Sequence, residues 1–437
     1  MRATKTTLLT VSVLGLGFIV MCRASSGDAI IQSMRQREIP AATPVPPVPS
    51  KPPNITRTRE EIGIVESLIS GSQRSGFVDH GAALYFLAGH YLKLGDRSKA
   101  LALIQECIAL NEGFDPTDDP TFVSLKNDAA FRQLAVQVRR RYPPVHRARV
   151  AFTLAQEDLF PEGLAADSTR RLFYMSNVHL RKLAQITTSG EVTDFVLPNL
   201  YNLGRTFGVH VDPADHSVWC ATYPGGKTQS EIVHFDEHGR LLERYMAPGT
   251  EPHALNDLVL GETREIYVTD TWGNRVYRFD QTTHVFEEVK LLRPIFLPNG
   301  ITISDDGNAV YFADLLGVIR LDLKTHQSED VVPAPHDTLA GIDGLYWYRG
   351  SLVGVQFGTG ANRVMRWSLT RGGKRIASSE VLERGTDLVI DPTTGVILDK
   401  QFYFIADSAI DNLDRDGEIV DMTRRRGPLH IAVLSLK

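Results

Sequence analysis

Asn299-Gly-Ile-Thr-Ile-Ser304, then Asp305-Asp-Gly-Asn308, then Ala309-Val-Tyr-Phe-Ala-Asp314 and Val318-Ile-Arg-Leu-Asp322: this stretch decides the fold. Short runs rich in β-branched and aromatic residues are strand signals, and the Asp/Gly/Asn cluster between them is a turn. The plan recurs along the chain. Inner-strand starts read Glu162-Gly-Leu-Ala-Ala-Asp, Phe207-Gly-Val-His-Val-Asp, Asn256-Asp-Leu-Val-Leu, Asn299-Gly-Ile-Thr-Ile, Asp343-Gly-Leu-Tyr-Trp and Thr386-Asp-Leu-Val-Ile-Asp, spaced 43 to 49 residues apart. A second strand follows each, as in Leu172-Phe-Tyr-Met, Ser217-Val-Trp-Cys-Ala, Glu265-Ile-Tyr-Val-Thr-Asp and Gln401-Phe-Tyr-Phe-Ile-Ala-Asp. A fixed period with four strands per unit and six units predicts an all-β six-bladed β-propeller over residues 149–437. An irregular β-sandwich is the rival, and the regular period argues against it. Val150–Leu154 or the C-terminal Ile431–Ser435 is expected to complete a blade.

In a propeller the inner strands line a central channel, so equivalent positions on them form a ring. Four of the six lead residues, Glu162, Asn256, Asn299 and Asp343, carry side-chain oxygen. Any one of them could simply cap a turn before glycine. Four at equivalent positions point to a cation. Two carboxylates and two amide oxygens suit Ca²⁺, which takes six to eight oxygen ligands in irregular geometry. Zn²⁺, Mn²⁺ and Mg²⁺ are the other candidates. The ring has no soft ligand, which disfavours copper or a structural zinc.

The rest of the chain frames this domain. Its composition, 43% hydrophobic and 23% charged, is that of a soluble globular protein, and a net charge of −5 gives no reason to expect nucleic acid as a partner. The three cysteines, Cys22, Cys107 and Cys220, fall in separate segments, which argues against a disulfide framework. Residues 1–24 read as an export signal or N-terminal anchor: Arg2 and Lys5, an uncharged run from Thr6 to Cys22, then Cys22-Arg23-Ala24. Cleavage, retention as an anchor and lipidation at Cys22 stay open. Each places the body outside the cytoplasm, in the periplasm or extracellular space. Residues 25–56 are a Pro-rich linker, with an Asn54-Ile-Thr sequon. Residues 57–145 read as a small helical module. Leu84, Leu87, Ala88, Tyr91 and Leu94 recur at helical spacing, Gly95-Asp96 breaks the run, and Ala100, Leu101, Ile104 and Ile108 resume it. Residues 84–110 resemble a tetratricopeptide repeat, and a third helix is expected over Asp128–Arg141. One such repeat cannot bury its own face, so the module should pack on the main domain or on a protein partner.

Pro161-Glu162-Gly163, Leu255-Asn256-Asp257, Leu297-Pro298-Asn299-Gly300 and Ile342-Asp343-Gly344 carry a further likeness. With these motifs in this order, residues 150–437 resemble the senescence-marker-protein/gluconolactonase/regucalcin-like family of six-bladed propellers. The resemblance implies one divalent metal in the channel, held by Glu162, Asn299 and Asp343, with Asn256 as fourth ligand or substrate contact. It implies hydrolysis of lactone esters, with Asp343 orienting or deprotonating a water. Two departures stand out. Family members often carry Arg two residues before the substrate Asn, where this chain has Ala254 beside His253. The paraoxonase-like members carry a catalytic His at the second-blade start, where this chain has Phe207. Phe207 cannot take a proton and reads as an apolar wall of the substrate site. His253 and His336 remain as candidates for proton transfer, and His253 also for substrate contact.

Two functions are therefore expected to compete. The first is a metal-dependent hydrolase of lactones or related small-molecule esters. The second is a non-catalytic, metal-stabilised propeller serving as a binding or scaffold protein.

Overall fold

The computed structural model describes residues 55–75, 79–117, 119–156, 158–224, 229–357, 362–414, 416–420 and 428–437. The signal or anchor and nearly all of the Pro-rich linker lie outside them.

Six four-stranded antiparallel sheets follow one another. Blade one is β2 to β5 (Leu164–Asp167, Leu172–Asn177, Lys182–Thr187, Val192–Val196) and blade two β6 to β9 (Arg205–Val211, Val218–Tyr223, Glu231–Phe235, Leu241–Met246). Blade three is β10 to β13 (Leu255–Leu260, Glu265–Asp270, Arg275–Asp280, Val285–Glu288), and blade four β14 to β17 (Ile301–Ile303, Ala309–Asp314, Gly317–Asp322, Ser328–Asp330). Blade five is β18 to β21 (Ile342–Tyr348, Ser351–Gln356, Arg363–Leu369, Ile376–Arg384). In blade six β22 (Gly395–Leu398), β23 (Gln401–Ile405) and β24 (Leu429–Ser435) are completed by β1 (Arg149–Leu154) as the outer strand. Both expected closing segments are thus used in one sheet. Arg149 lies opposite Val433 and Leu154 opposite Leu429.

Neighbouring blades share apolar clusters. Tyr174, Leu183, Val209 and Cys220 fill the gap between blades one and two, and Ile342, Met365 and Trp367 join Tyr311 between blades four and five. The indole Nε1 of Trp367 donates to Asp337 Oδ2 at 2.9 Å, so this large side chain is buried without an orphaned donor.

The sixth inner strand differs from expectation. Thr386 does not start a strand. It lies past the end of β21, and its hydroxyl donates to Glu383 Oε1 at 2.7 Å. The strand begins at Gly395, so Thr394 occupies the lead position. β21 runs for nine residues, and Pro392 cannot donate to a ladder. The Thr394-Gly395 pair repeats the lead–glycine pattern of the other blades.

Before the propeller come α1 (Ile55–Ser75), α2 (His80–Lys93), α3 (Arg97–Leu110) and α4 (Ala129–Arg141), with a 3₁₀ turn at Pro120–Leu125. Asp79, Asp96 and Asp128 cap α2, α3 and α4 by accepting backbone N–H bonds. Helices and propeller form one compact unit. Ala83, Leu87 and Phe122 of the module share a core with Phe296, Leu316 and Ala340 of the propeller. Phe86 meets Phe296 edge to face at 5.7 Å. One oxygen of Asp79 caps α2 through Ala82 N–H at 2.8 Å, and the other accepts the Thr338 hydroxyl. The helical face that cannot cover itself is covered here by the propeller. Cys107 and Cys220 are buried free thiols.

Two outcomes follow from this packing. Phe152 of β1 is buried against Phe173 across the closure. Phe152→Ala should cost about 3 kcal/mol in denaturant unfolding, whereas the exposed Val150→Ala should stay within about 0.5 kcal/mol. At the module seam, burial and then Asp79 push the Glu112 carboxyl up to about 7. A carboxyl raised in the folded state contributes stability present at low pH and lost as pH rises through its folded pKa. Glu112→Gln should therefore raise the thermal midpoint at pH 8, with the gain shrinking as pH falls toward 4.5.

Candidate functional site

The channel mouth is assembled by close approach of the inner strands. A Cβ on Gly163 would lie 2.2 Å from the carbonyl oxygen of Phe207, and one on Gly300 2.4 Å from that of Asp343. Neither contact is tolerable, so each lead residue is followed by the one side chain that lets the next blade come this near. Blade three is the exception, because Asp257 stands where the other blades have glycine. Its carboxylate accepts from Leu258 N–H at 2.9 Å and from Ile301 N–H at 3.4 Å, which ties blade three to blade four.

The lead side chains then turn their oxygens inward without partners. Glu162 is 4% exposed. Its Oε2 is buried with no hydrogen bond. Asn256 donates through Nδ2 to Tyr223 OH and to Thr271 Oγ1, each at 2.9 Å. Thr271 in turn donates to Pro298 O, so its oxygen must accept from Asn256, and this fixes the amide. Asn299 Nδ2 donates to Asp343 Oδ1 at 2.5 Å. Asn256 has used both donors and Asn299 one, and Asn256 Oδ1 and Asn299 Oδ1 are buried and unpartnered. Thr394, at the sixth lead position, donates its hydroxyl to Glu162 O.

Electrostatics sharpen the picture. Burial raises Glu162 well above the ordinary carboxylate range, and Asp343 and Asp257 push it further. Asp343 is half-buried by its surface yet deep enough that desolvation lifts it to about 6, against the Asn299 bond that lowers it. Burial likewise lifts Asp257 to about 7. Tyr346 is raised by burial and by the Asp257, Glu162 and Asp343 carboxyls, against the Gly395 N–H bond to its hydroxyl that lowers it. Every influence acting on Glu162 disfavours its charge. A bound cation would reverse that balance.

The residues present fit a hard cation. Three buried oxygens without partners surround a set of desolvated carboxyls, and orphaned buried acceptors of this kind are costly unless something binds them. Among the described residues, no three His, Cys, Asp or Glu side chains could hold an ion by themselves. An ion here would need the amide oxygens of Asn256 and Asn299, a donor set suited to Ca²⁺.

The expected residues divide cleanly. Glu162, Asn256, Asn299 and Asp343 belong to the ring. Phe207 belongs to its wall, stacked on Tyr223 with centroids 3.8 Å apart. The histidines do not join the ring. His253 is bound through Nδ1 to Asp270 Oδ2 at 2.6 Å, and its Nε2 lies 3.9 Å from Glu251. His336 faces the helical module, 3.3 Å from Leu110 O, in a cleft of about 350 Å³ with Asp79, Glu112 and Asp337. Asp257, Tyr223, Thr271, Tyr346 and Thr394 complete the site. None of these five was named as a site residue from the sequence; the departure of Asp257 from the lead–glycine pattern is the signal that marks it.

No family model matches the chain. No curated protein is similar to it in sequence. Solved structures match at the level of the fold. A gluconolactonase of Xanthomonas campestris shares 16% identity, with 67% of this chain and 97% of that one covered and a TM-score of 0.47. A calcium-binding protein, regucalcin, of Agrobacterium tumefaciens shares 17%, covering 67% and 95%, with a TM-score of 0.48. The PQQ-bound aldose sugar dehydrogenase of Streptomyces coelicolor shares 13%, covering 67% and 99%, with a TM-score of 0.48. These proteins differ in activity, and likeness this distant says nothing of this chain's chemistry.

Cation binding provides the direct check. Adding Ca²⁺ should raise the thermal midpoint of the wild type. Glu162→Gln and Asp343→Asn should each weaken Ca²⁺ binding at least about tenfold in calorimetric titration. Binding should weaken as pH falls through 7 toward 6, because protonation of carboxyls competes with the ion.

Proposed function

We propose that the protein is a divalent-cation-dependent hydrolase of lactones or related small esters, working at the channel mouth. The observation that carries this reading is the set of unpartnered oxygens on Glu162, Asn256 and Asn299 beside Asp343. Glu162, Asn299 and Asp343, with Asn256, would hold the cation. When bound, a divalent cation supplies Lewis acidity toward a carbonyl oxygen.

The chain's own groups do the rest. Asn299 fixes the plane of the Asp343 carboxyl through its Oδ1. Asp343, held in that plane, is the carboxyl placed to orient an attacking water and accept its proton. Asn256, locked by Tyr223 and Thr271, presents its one remaining oxygen either to the cation as fourth ligand or to the substrate. Phe207 and Tyr223 exclude water from one side.

The test is turnover of a lactone and aryl-ester panel with and without chelator. Metal-dependent hydrolysis is expected, and Asp343→Asn should lower kcat about 10²-fold or more while the protein stays folded. Retention of full turnover by Asp343→Asn would remove Asp343 from the chemistry. Chelator-sensitive stability with no turnover on any ester would favour the scaffold reading instead.

A further inference from the structure

Helix α2 touches the two segments that lead into blades four and five, the blades whose lead side chains bond each other. Asp79, which caps the helix, and Phe86 stand about two turns apart along it. Phe86 meets the buried Phe296, a short way before Asn299 in the chain. The Phe296 carbonyl accepts from Leu315 N–H at 2.8 Å. Leu297 also packs against the helical core, and its φ of 52° is a left-handed conformation that leucine holds only where its surroundings impose it. Its N–H donates to Asn274 Oδ1 at 2.9 Å. Pro298 O then takes the Thr271 hydroxyl that fixes the Asn256 amide, and Asn299 follows with its bond to Asp343.

The second contact is polar. Asp79 accepts the hydroxyl of the buried Thr338, and that oxygen in turn accepts from Ala340 N–H at 3.0 Å. Gln356 Nε2 donates to the carbonyls of Thr338 and Ala340 at 3.1 and 2.7 Å. Ala340 belongs to the core shared with the helices, and Asp343 comes shortly after it. One helix thus holds the approaches to both members of the Asn299–Asp343 pair. The Glu162 backbone, by contrast, is held from within the propeller by the hydroxyls of Thr393 and Thr394. Ligand oxygens bind an ion well only when the groups behind them fix their separation. We infer that α2 is a positioning element of the ring: Phe86 and Asp79, acting through Phe296 and Thr338, set the Asn299–Asp343 pair. The positioning stands on this geometry alone; its consequence for binding rests on the cation site proposed above.

Two variants of the full chain test it. Phe86→Ala removes the apolar contact, and Thr338→Val keeps the side-chain shape but removes the hydroxyl. Each is expected to weaken Ca²⁺ binding about fivefold in calorimetric titration. Phe86→Leu, which keeps apolar bulk against Phe296, should recover most of the loss. Phe152→Ala, a destabilising change at the blade-six closure, should leave Ca²⁺ affinity within about twofold. Wild-type affinity in both seam variants would overturn the inference, as would an equal loss in Phe152→Ala. Amide hydrogen exchange without Ca²⁺ gives a second readout. Phe86→Ala should speed exchange over residues 296–300 and 338–344 and leave the leads at 162–163 and 207–208 unchanged. If the wild type binds no Ca²⁺, the cation reading falls and exchange decides: a change confined to those two segments supports positioning, and no change, or an equal change at every lead, overturns it. Coupled Ca²⁺ binding with no ester turned over leaves the positioning standing and removes the hydrolase reading.

Discussion

Six twisted sheets can meet around one axis only if their inner strands come closer than side chains allow, and this constraint governs the molecule. The chain meets it by placing glycine directly after the lead residue, as at Gly163, Gly208, Gly300 and Gly344. The same approach gathers the lead residues into a ring. A binding site therefore costs the fold little extra, since packing has already brought its parts together. Blade three departs from the rule, and there Asp257 replaces steric fit with hydrogen bonds to Leu258 and Ile301. The cost is a third desolvated carboxyl beside Glu162 and Asp343.

That concentration of desolvated acid is what gives the site its character. A folded domain seldom keeps carboxyls and amide oxygens buried and unpartnered unless a ligand completes them. Here the polar half of the mouth is underpaired while the aromatic half is saturated.

Much of this was legible in the sequence because the propeller repeats its local rules. The strand–turn–strand plan around Asn299 recurs with enough regularity to fix blade count and the four oxygen-bearing leads. The helical spacing from Leu84 to Ile108 and the helix start at Asp128 were also local signals. Blade six was misplaced because Thr386-Asp-Leu-Val-Ile has the composition of an inner strand, with Val389 buried, while Pro392 and the Thr394-Gly395 pair set the true register. The histidines illustrate a different limit. Whether His253 faces the channel or Asp270 depends on a partner seventeen residues away, and His336 turns toward a helix from the other end of the chain. Tyr346 and Thr271 had no sequence signal, since their roles exist only once neighbouring blades are in place.

The closure of blade six also sets an order of events in time. β1 is the first strand made, and its partner β24 is the last. A chain that emerges from its amino end must hold Arg149–Leu154 idle while five sheets form and wait. Pairing across nearly the whole length of a domain is slow, and it leaves an unpaired edge open to foreign strands in the interval. The helices that precede β1 share part of this wait. Their contacts with one another are local, but their open face is covered only when Phe296, Leu316 and Ala340 arrive from the later blades.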